Sequence, residues 1–308
     1  MRVAALDLGT NTTRLLVADV VDGRVDEVER RLAITRLGEG VDKRRRLLPL
    51  PIARVRNTLS EYRRTLEELG AERALLVATS AVRDAENGEA FLGEIEWSYG
   101  FVTRLLSGND EAELVRRGVR TGRQLGPGGL ILDVGGGSTE LITESWHGSL
   151  DLGSVRLTER FLHTDPPTAE ELDDCAAHAR SLLPELEVSE AIGVAGTVTT
   201  LAALDLGLHE YDPDRVHGHR IHAASVDAQL ERLAALSVAQ RRDVPGLEPE
   251  RAPVIVAGAI IVREVLRRYE LDELEASERD LLDGAALEAA ELPEPEEGAA
   301  PPGAYTCC

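Results

Sequence analysis

The sequence is poor in lysine, cysteine and long apolar runs, and each shortage excludes a class of protein. Only one of the 34 basic residues, Lys43, is a lysine, so a P-loop of the form G-x-x-x-x-G-K-[ST] cannot be written here. Three cysteines in 308 residues cannot make a disulfide framework and suit a reducing compartment. The longest apolar run, at 254–262, is far shorter than the roughly 20 residues of a membrane-spanning helix. We therefore expect a soluble, cytoplasmic protein.

Basic charge is also scarce. The chain carries 55 acidic residues against 34 basic ones, a formal net charge of −21. Nucleic acids and anionic membranes attract positive protein surfaces, so we expect neither as a partner. An apolar fraction of 43% and a charged fraction of 29% are typical of an ordinary soluble globular protein.

Strand-like and helix-like segments alternate along the chain, which indicates an α/β architecture. The clearest helix is 51–69, where apolar residues recur at steps of three and four. Two Ser/Thr-x-x-Asp/Glu capping boxes, at 107–110 and 168–171, predict further helix starts. The other predicted helices cover 225–240 and 254–268, and a last one begins near 277. The predicted strands lie near 3–8, 14–21, 25–35, 75–78, 101–106, 130–132, 139–143, 149–157 and 191–194.

One short pattern occurs twice. A buried strand ends in Asp, one apolar residue, Gly and then small polar residues, first from Asp7 and again from Asp133, and each copy leads into another strand. The repeat predicts two similar halves. We expect one domain at 1–124, with the last helix (about 277–292) packing back on it, and a second at 125–276. A Pro/Glu-rich tail at 293–308, which ends in Cys307 and Cys308, is expected to be disordered.

The repeated turns suit phosphate chemistry. Glycine lets backbone N–H groups approach an anion closely, and neighbouring hydroxyl or amide groups add donors. The Asp carboxylate can hold a magnesium ion directly or through its waters. A single Asp-x-Gly turn is weak support, since many hairpins contain one. Two copies, one of them with three consecutive glycines at 135–137, indicate a phosphate-binding protein.

The chain resembles the exopolyphosphatase and guanosine pentaphosphate phosphohydrolase (Ppx/GppA) family of the actin-like superfamily. The stretches that carry the resemblance are 7–14, 78–83, 106–112, 133–140, 196–199 and 217–218. It implies an α/β protein of two actin-like (ribonuclease H-like) domains with an interdomain cleft. It also implies hydrolytic removal of a terminal phosphate with Mg²⁺, or alternatively Mn²⁺, as cofactor, and homodimers are common among relatives.

The resemblance also assigns roles to residues. Glu111 is implied as the catalytic base, although the family usually has Glu-Glu-Ala where this chain has Asp110-Glu111-Ala112. In the first turn of a helix, Glu111 would be favoured as an ionised carboxylate by the helix dipole. The implied metal ligands are Asp133, Asp7 and Glu140. The implied phosphate-binding residues are Thr10, Asn11, Arg14, Arg83, Gly135, Gly136, Gly137, Ser138, Gly196 and Thr197.

The leading function is an exopolyphosphatase that releases orthophosphate from inorganic polyphosphate. The alternative is the same hydrolysis on guanosine pentaphosphate, which the sequence does not separate from the first. A sugar kinase of the actin-like superfamily is a weaker alternative, because it needs a sugar hydroxyl as acceptor and an adenosine pocket. A non-catalytic nucleotide sensor would require the loss of Glu111 or Asp133, and both are present.

Overall fold

The computed structural model describes residues 1–293, and contacts within the chain divide it into two units. One unit, here the N-terminal unit, comprises Met1–Arg123 together with the segment that begins at Arg279. The other, the central unit, comprises Gln124–Glu278. The cysteines predicted to lie in a terminal tail, Cys307 and Cys308, fall outside the described residues.

The N-terminal unit is built on a five-stranded sheet in the order β3-β2-β1-β4-β5, in which β1 runs antiparallel to β2 and parallel to β4. Apart from Arg2, every residue of β1 is buried. The strands are β1 (Arg2–Leu8), β2 (Thr12–Val21), β3 (Arg24–Ile34), β4 (Arg73–Ala78) and β5 (Val102–Leu105). The helices are α1 (Val41–Arg44), α2 (Pro49–Glu68), α3 (Ser80–Arg83), α4 (Gly88–Tyr99) and α5 (Gly108–Arg120).

The central unit repeats this arrangement and extends it by one strand, with the order β10-β11-β9-β6-β7-β8. Its first strand, β6, again lies between an antiparallel and a parallel neighbour. The strands are β6 (Gly129–Val134), β7 (Thr139–Ile142), β8 (His147–Leu150), β9 (Glu190–Val194), β10 (Arg220–His222) and β11 (Glu273–Ala276). The helices are α6 (Ser154–Phe161), α7 (Ala169–Leu182), α8 (Ala195–Asp205), α9 (Pro213–Val216), α10 (Ala223–Ala234), α11 (Val238–Arg241) and α12 (Ile255–Arg268).

The last helix, α13 (Leu281–Glu291), belongs to the N-terminal unit and packs on β1, β2, β4 and α5. Two glycines allow α13 and α5 to touch backbone to backbone. A Cβ on Gly118 would lie 1.7 Å from the Asp280 carbonyl oxygen, and one on Gly284 would lie 2.0 Å from that of Leu114. Side chains at these positions would therefore separate the two helices.

The sequence prediction is wrong in two places. The strand expected at 149–157 is a short strand, β8, followed by the helix α6, because the first amides of α6 bond back to the glycine turn: Ser154 N–H donates to the Gly135 carbonyl at 3.0 Å. The single helix expected at 225–240 is two helices, since Ser237 caps α11 and ends the continuity with α10. Both predicted capping boxes are confirmed, at the starts of α5 and α7.

None of the helices within residues 1–293 is long and apolar enough to cross a membrane.

Candidate active site

The two Asp-x-Gly turns have the same backbone hydrogen bond. Gly9 N–H donates to the Thr12 carbonyl at 2.9 Å, and Gly135 N–H donates to the Ser138 carbonyl at 3.0 Å. Each turn joins the first strand of its sheet to the antiparallel neighbour. The repeat in the sequence is thus a repeat of structure at the ends of β1 and β6.

A Leu-Gly pair packs behind each turn, which the sequence analysis did not single out. A Cβ on Gly38 would lie 2.2 Å from Thr10 Cγ2, and one on Gly153 would lie 2.2 Å from the Gly136 carbonyl oxygen. Only a residue without a side chain fits there. The signal in the sequence is a Leu-Gly pair that follows each turn, at 37–38 and at 152–153.

Two polar atoms of the first turn are buried without a hydrogen-bond partner, namely Asp7 Oδ1 and Thr10 Oγ1. Asp7 is 4% exposed and Thr10 is 7% exposed. Buried polar atoms are almost always hydrogen-bonded, so an orphaned pair calls for an explanation. The carboxylate oxygen is suited to accept from the water shell of a metal ion, and the hydroxyl is suited to donate to a phosphate oxygen. The first turn therefore fits the predicted ligands.

Arg14 faces Asp7 across the β1–β2 ladder. Its Nε and Nη2 atoms donate to Asp7 Oδ2 at 2.9 and 2.8 Å, and its Nη1 atom donates to Asp280 Oδ2. Burial raises the pKa of Asp7, and the charge and hydrogen bonds of Arg14 oppose that rise. The arginine predicted to bind phosphate is thus held between two buried carboxylates.

The second turn has a different cross-strand partner. Asp133 lies directly opposite Glu140 in the β6–β7 ladder, and the two side chains share one face of the sheet. They are 7% and 1% exposed. Ser149 Oγ donates to Glu140 Oε1 at 2.6 Å. Opposed carboxylates destabilise an antiparallel pair, so this position suits a cation. The structure thus brings together two of the three predicted metal ligands, while Asp7 lies in the other unit.

A magnesium ion fits this carboxylate pair. Mg²⁺ is usually held by one or two carboxylates, with the rest of its shell filled by water and substrate phosphate. Within residues 1–293 no group of three or more His, Cys, Asp or Glu side chains is arranged to hold a metal ion.

The triple-glycine turn is fixed by α6. Val155 N–H donates to the Gly136 carbonyl at 2.8 Å, and Arg156 Nε donates to the Gly137 carbonyl at 2.6 Å. Arg156 is only 5% exposed, and the sequence analysis missed it. These bonds occupy carbonyl oxygens of the turn. The backbone N–H groups of the same turn are the groups suited to bind an anion.

Glu111 lies in the first turn of α5 and is 7% exposed. Arg83, at the end of α3, donates from Nη1 to Glu111 Oε2 at 3.1 Å and to the Leu106 carbonyl at 2.7 Å. The adjacent acid differs in role: Asp110 completes the capping box with Ser107, and its pKa is lowered chiefly by the Ser107 hydroxyl. Of these two acids, the structure buries only the predicted base, against an arginine.

The predicted Gly196-Thr197 pair opens α8 directly after β9. The guanidinium of Arg251 packs on Gly196, where a Cβ would lie 2.1 Å from Nη1. Gly258 lets α12 approach Thr197, since a Cβ there would lie 2.7 Å from Thr197 Cγ2. Gly258 thus has a packing role, and the sequence does not indicate the place of Arg251 beside this turn.

A duplicated α/β fold with an Asp-x-Gly turn in each half is of the actin-like type. The sequence model described as the Ppx/GppA phosphatase family matches residues 16–291. The chain belongs to the Ppx/GppA phosphatase family, and it is an enzyme of that phosphatase class.

Three relatives illustrate the family. Exopolyphosphatase 2 of Mycobacterium tuberculosis is 40% identical, over 94% of this chain and 98% of that protein. The crystal structure of the Aquifex aeolicus family member is similar with a TM-score of 0.78 at 30% identity, over 97% of this chain and 99% of that one. A guanosine-5'-triphosphate,3'-diphosphate pyrophosphatase of Vibrio vulnificus is 29% identical, over 92% of this chain and 58% of that protein.

Proposed function

We propose that this protein is a metal-dependent exopolyphosphatase, which hydrolyses the terminal phosphate of inorganic polyphosphate and releases orthophosphate. The observation that carries the proposal is Glu111, a buried carboxylate at the start of α5 held by Arg83 at 3.1 Å. The 40% identity to a protein named exopolyphosphatase supports the choice of substrate.

Glu111 acts on the attacking water. One carboxylate oxygen is engaged by Arg83, and the neighbouring positive charge favours the ionised form that a general base needs. The carboxylate orients the water and takes its proton as the water oxygen bonds to the terminal phosphorus. The bond from that phosphorus to the bridging oxygen breaks, and the shortened chain leaves with the electron pair.

The two turns supply binding and charge stabilisation. The amides of Gly135–Ser138 and the polar groups of Thr10 and Asn11 would bind phosphate oxygens, and Gly196-Thr197 would add a further contact. Asp133 and Glu140 of the central unit would hold Mg²⁺ or Mn²⁺, which would offset charge on the phosphoryl oxygens, and Asp7 of the N-terminal unit is the third predicted metal ligand. In phosphoryl transfer, positioning and charge stabilisation make up most of catalysis.

Guanosine pentaphosphate is the second candidate substrate, because a relative named for that nucleotide matches 92% of this chain. The same residues would perform the same hydrolysis on it. A sugar kinase differs in needing an acceptor, so phosphate release in the absence of any sugar separates it from both hydrolases.

A cytoplasmic location and a homodimer are part of the same proposal. Cys175 is a free, buried cysteine whose pKa burial raises to about 12, which marks it as an inert core residue.

The homodimer rests on the family relationship, and light scattering on the purified chain measures it. A monomer at micromolar concentration would contradict it.

The proposed function is tested by phosphate release from four substrates on one preparation: short polyphosphate, long polyphosphate, guanosine pentaphosphate and ATP. We expect Mg²⁺-dependent release from polyphosphate at the highest kcat/KM, with no release in EDTA. Higher kcat/KM on guanosine pentaphosphate would favour the second candidate. Release from none of the four would overturn the proposal.

A further inference from the structure

The N-terminus of α13 is anchored by an aspartate with two side-chain hydrogen bonds and a longer ion pair to Arg30 at 4.0 Å. Asp280 is the N-cap of α13, and its Oδ1 atom accepts a hydrogen bond from Leu282 N–H at 2.9 Å. Its Oδ2 atom accepts from Arg14 Nη1. Asp280 is 5% exposed, so both contacts are sheltered from water.

The backbone of Asp280 lies against the helix that carries the candidate base. The backbones of α13 and α5 touch at Gly118 and Gly284, where no side chain fits. Helix α5 carries Glu111 in its first turn. The position of the Asp280 carboxylate is therefore set by the same helix contact that positions the catalytic helix.

The contacts of Arg14 are unequal. Nε and Nη2 both donate to a single oxygen of Asp7, Oδ2, while Nη1 is taken by Asp280. Asp7 Oδ1 is left buried and without a hydrogen bond. An arginine paired with one carboxylate often donates to both of its oxygens in a fork. Here the fork is absent, and the same guanidinium also donates to Asp280.

We propose that Asp280 is a positioning residue of the phosphatase site, which acts through Arg14 to leave Asp7 Oδ1 available to accept a hydrogen bond from a magnesium-bound water. This inference rests on the proposed function, because it takes Asp7 as part of the site. The charges around it are balanced: Asp7, Asp280 and Asp283 are matched by Arg14, Arg30 and Arg279. Loss of the Asp280 charge frees Arg14 to close over both oxygens of Asp7.

The test uses Asp280→Asn. Asparagine caps helices as well as aspartate does, so the variant keeps the bond to Leu282 N–H but cannot accept from Arg14 through its amide nitrogen. We expect the Kd for tripolyphosphate with Mg²⁺, measured by calorimetry, and the half-activating Mg²⁺ concentration both to rise about 10-fold. We expect kcat at saturation to change less than about threefold, with little change in the urea midpoint of unfolding.

The control is Asp283→Asn. Asp283 lies in the same capping box and is fully buried, but it pairs with Arg30 and Arg279 instead of Arg14. We expect this variant to lower the urea midpoint more than Asp280→Asn does, while leaving tripolyphosphate affinity within about twofold. If Asp280 had only a structural role, the variant with the lower urea midpoint, Asp283→Asn, would also bind tripolyphosphate more weakly than Asp280→Asn does.

A double-mutant cycle with Arg14→Lys decides whether Asp280 acts through Arg14. Lysine keeps the charge but lacks the planar fork, so adding Asp280→Asn to Arg14→Lys is expected to change the Kd by less than about twofold. An undiminished effect of Asp280→Asn in the lysine background overturns the inference, as does unchanged affinity of the single variant. If the unmodified protein binds no tripolyphosphate, it is the proposed function that fails.

Discussion

The two Asp-x-Gly turns share a backbone but differ at the position across the ladder. Asp7 faces Arg14 in the N-terminal unit, whereas Asp133 faces Glu140 in the central unit. Each partner lies seven residues after its aspartate. Arg14 donates hydrogen bonds to the first carboxylate, while the second lies across the ladder from another carboxylate. The same backbone motif thus holds its aspartate opposite an arginine in one unit and opposite a glutamate in the other.

Under the proposed function, the difference distinguishes the two turns as places for a metal ion. A buried carboxylate paired with arginine gains little from a further cation, but two opposed carboxylates are stabilised by one. The central turn is accordingly the better candidate for direct metal coordination, and Asp7 is better suited to a contact through water. The net charge of −21 agrees with a cation that mediates the grip on a polyanion.

Removal of Arg14 is expected to have the largest effect. Arg14→Gln leaves Asp7 and Asp280 buried without their shared cation, and breaking such a buried pair costs about 3–5 kcal/mol of unfolding free energy. Urea denaturation followed by circular dichroism measures the loss. A loss below about 1 kcal/mol would show that the N-terminal turn does not depend on internal compensation.

Asp133→Asn tests the central turn next. We expect phosphate release to fall about 100-fold or more, and the half-activating Mg²⁺ concentration to rise, because a direct contact to the metal is lost. The matched control is Glu144→Gln, which removes one acid from an exposed position just after β7. Equal losses in the two variants would contradict a metal role for Asp133.

Glu140→Gln is expected to act in the opposite direction from Arg14→Gln on stability. Without metal it relieves repulsion of Asp133 and raises the unfolding free energy by up to about 1 kcal/mol, while Gln still accepts from Ser149. With Mg²⁺ the metal-induced rise in Tm should be smaller than in the unmodified protein. Thermal melts in EDTA and in Mg²⁺ give both values. A lower Tm for Glu140→Gln than for the unmodified protein in EDTA would count against repulsion between Glu140 and Asp133.

Glu171→Gln is expected to have the smallest effect, because Glu171 acts in the capping box of α7. Hydrogen bonds from Thr164 and Thr168 lower the pKa of Glu171 from 4.5 to about 2. Its stabilising contribution is therefore complete above about pH 4.5 and disappears as the pH falls towards 2. The difference in Tm from the unmodified protein should follow that window with phosphate release unchanged; a difference that persists at pH 2 would contradict it.

Local patterns predicted the fold and both turns well. The two Asp-x-Gly copies gave the strand pairs β1–β2 and β6–β7, because glycine and aspartate at a strand end act within a few residues. The capping boxes at Ser107 and Thr168 were equally local and are confirmed. The strand predicted near 149–157 was wrong, since α6 begins at Ser154 and bonds its first amides to the glycine turn.

The electrostatics of the site could not be predicted in the same way. Asp280 is 266 residues from Arg14 along the chain, and no spacing in the sequence indicates that they meet. Arg83 reaches Glu111 only in the folded N-terminal unit, and Arg251 reaches Gly196 only in the folded central unit. Such contacts depend on tertiary structure. Sequence motifs therefore predict which residues belong to the site, but not which residues they contact.

The most direct test of the account is Mg²⁺-dependent phosphate release from polyphosphate by Glu111→Gln beside Glu113→Gln. Glu113 lies on the same helix with its side chain 55% exposed, so both variants remove one acid from α5. A general base contributes about 100- to 10,000-fold, and we expect Glu111→Gln to lose activity in that range while Glu113→Gln keeps it and both remain folded. Full activity in a folded Glu111→Gln variant would contradict the proposed mechanism.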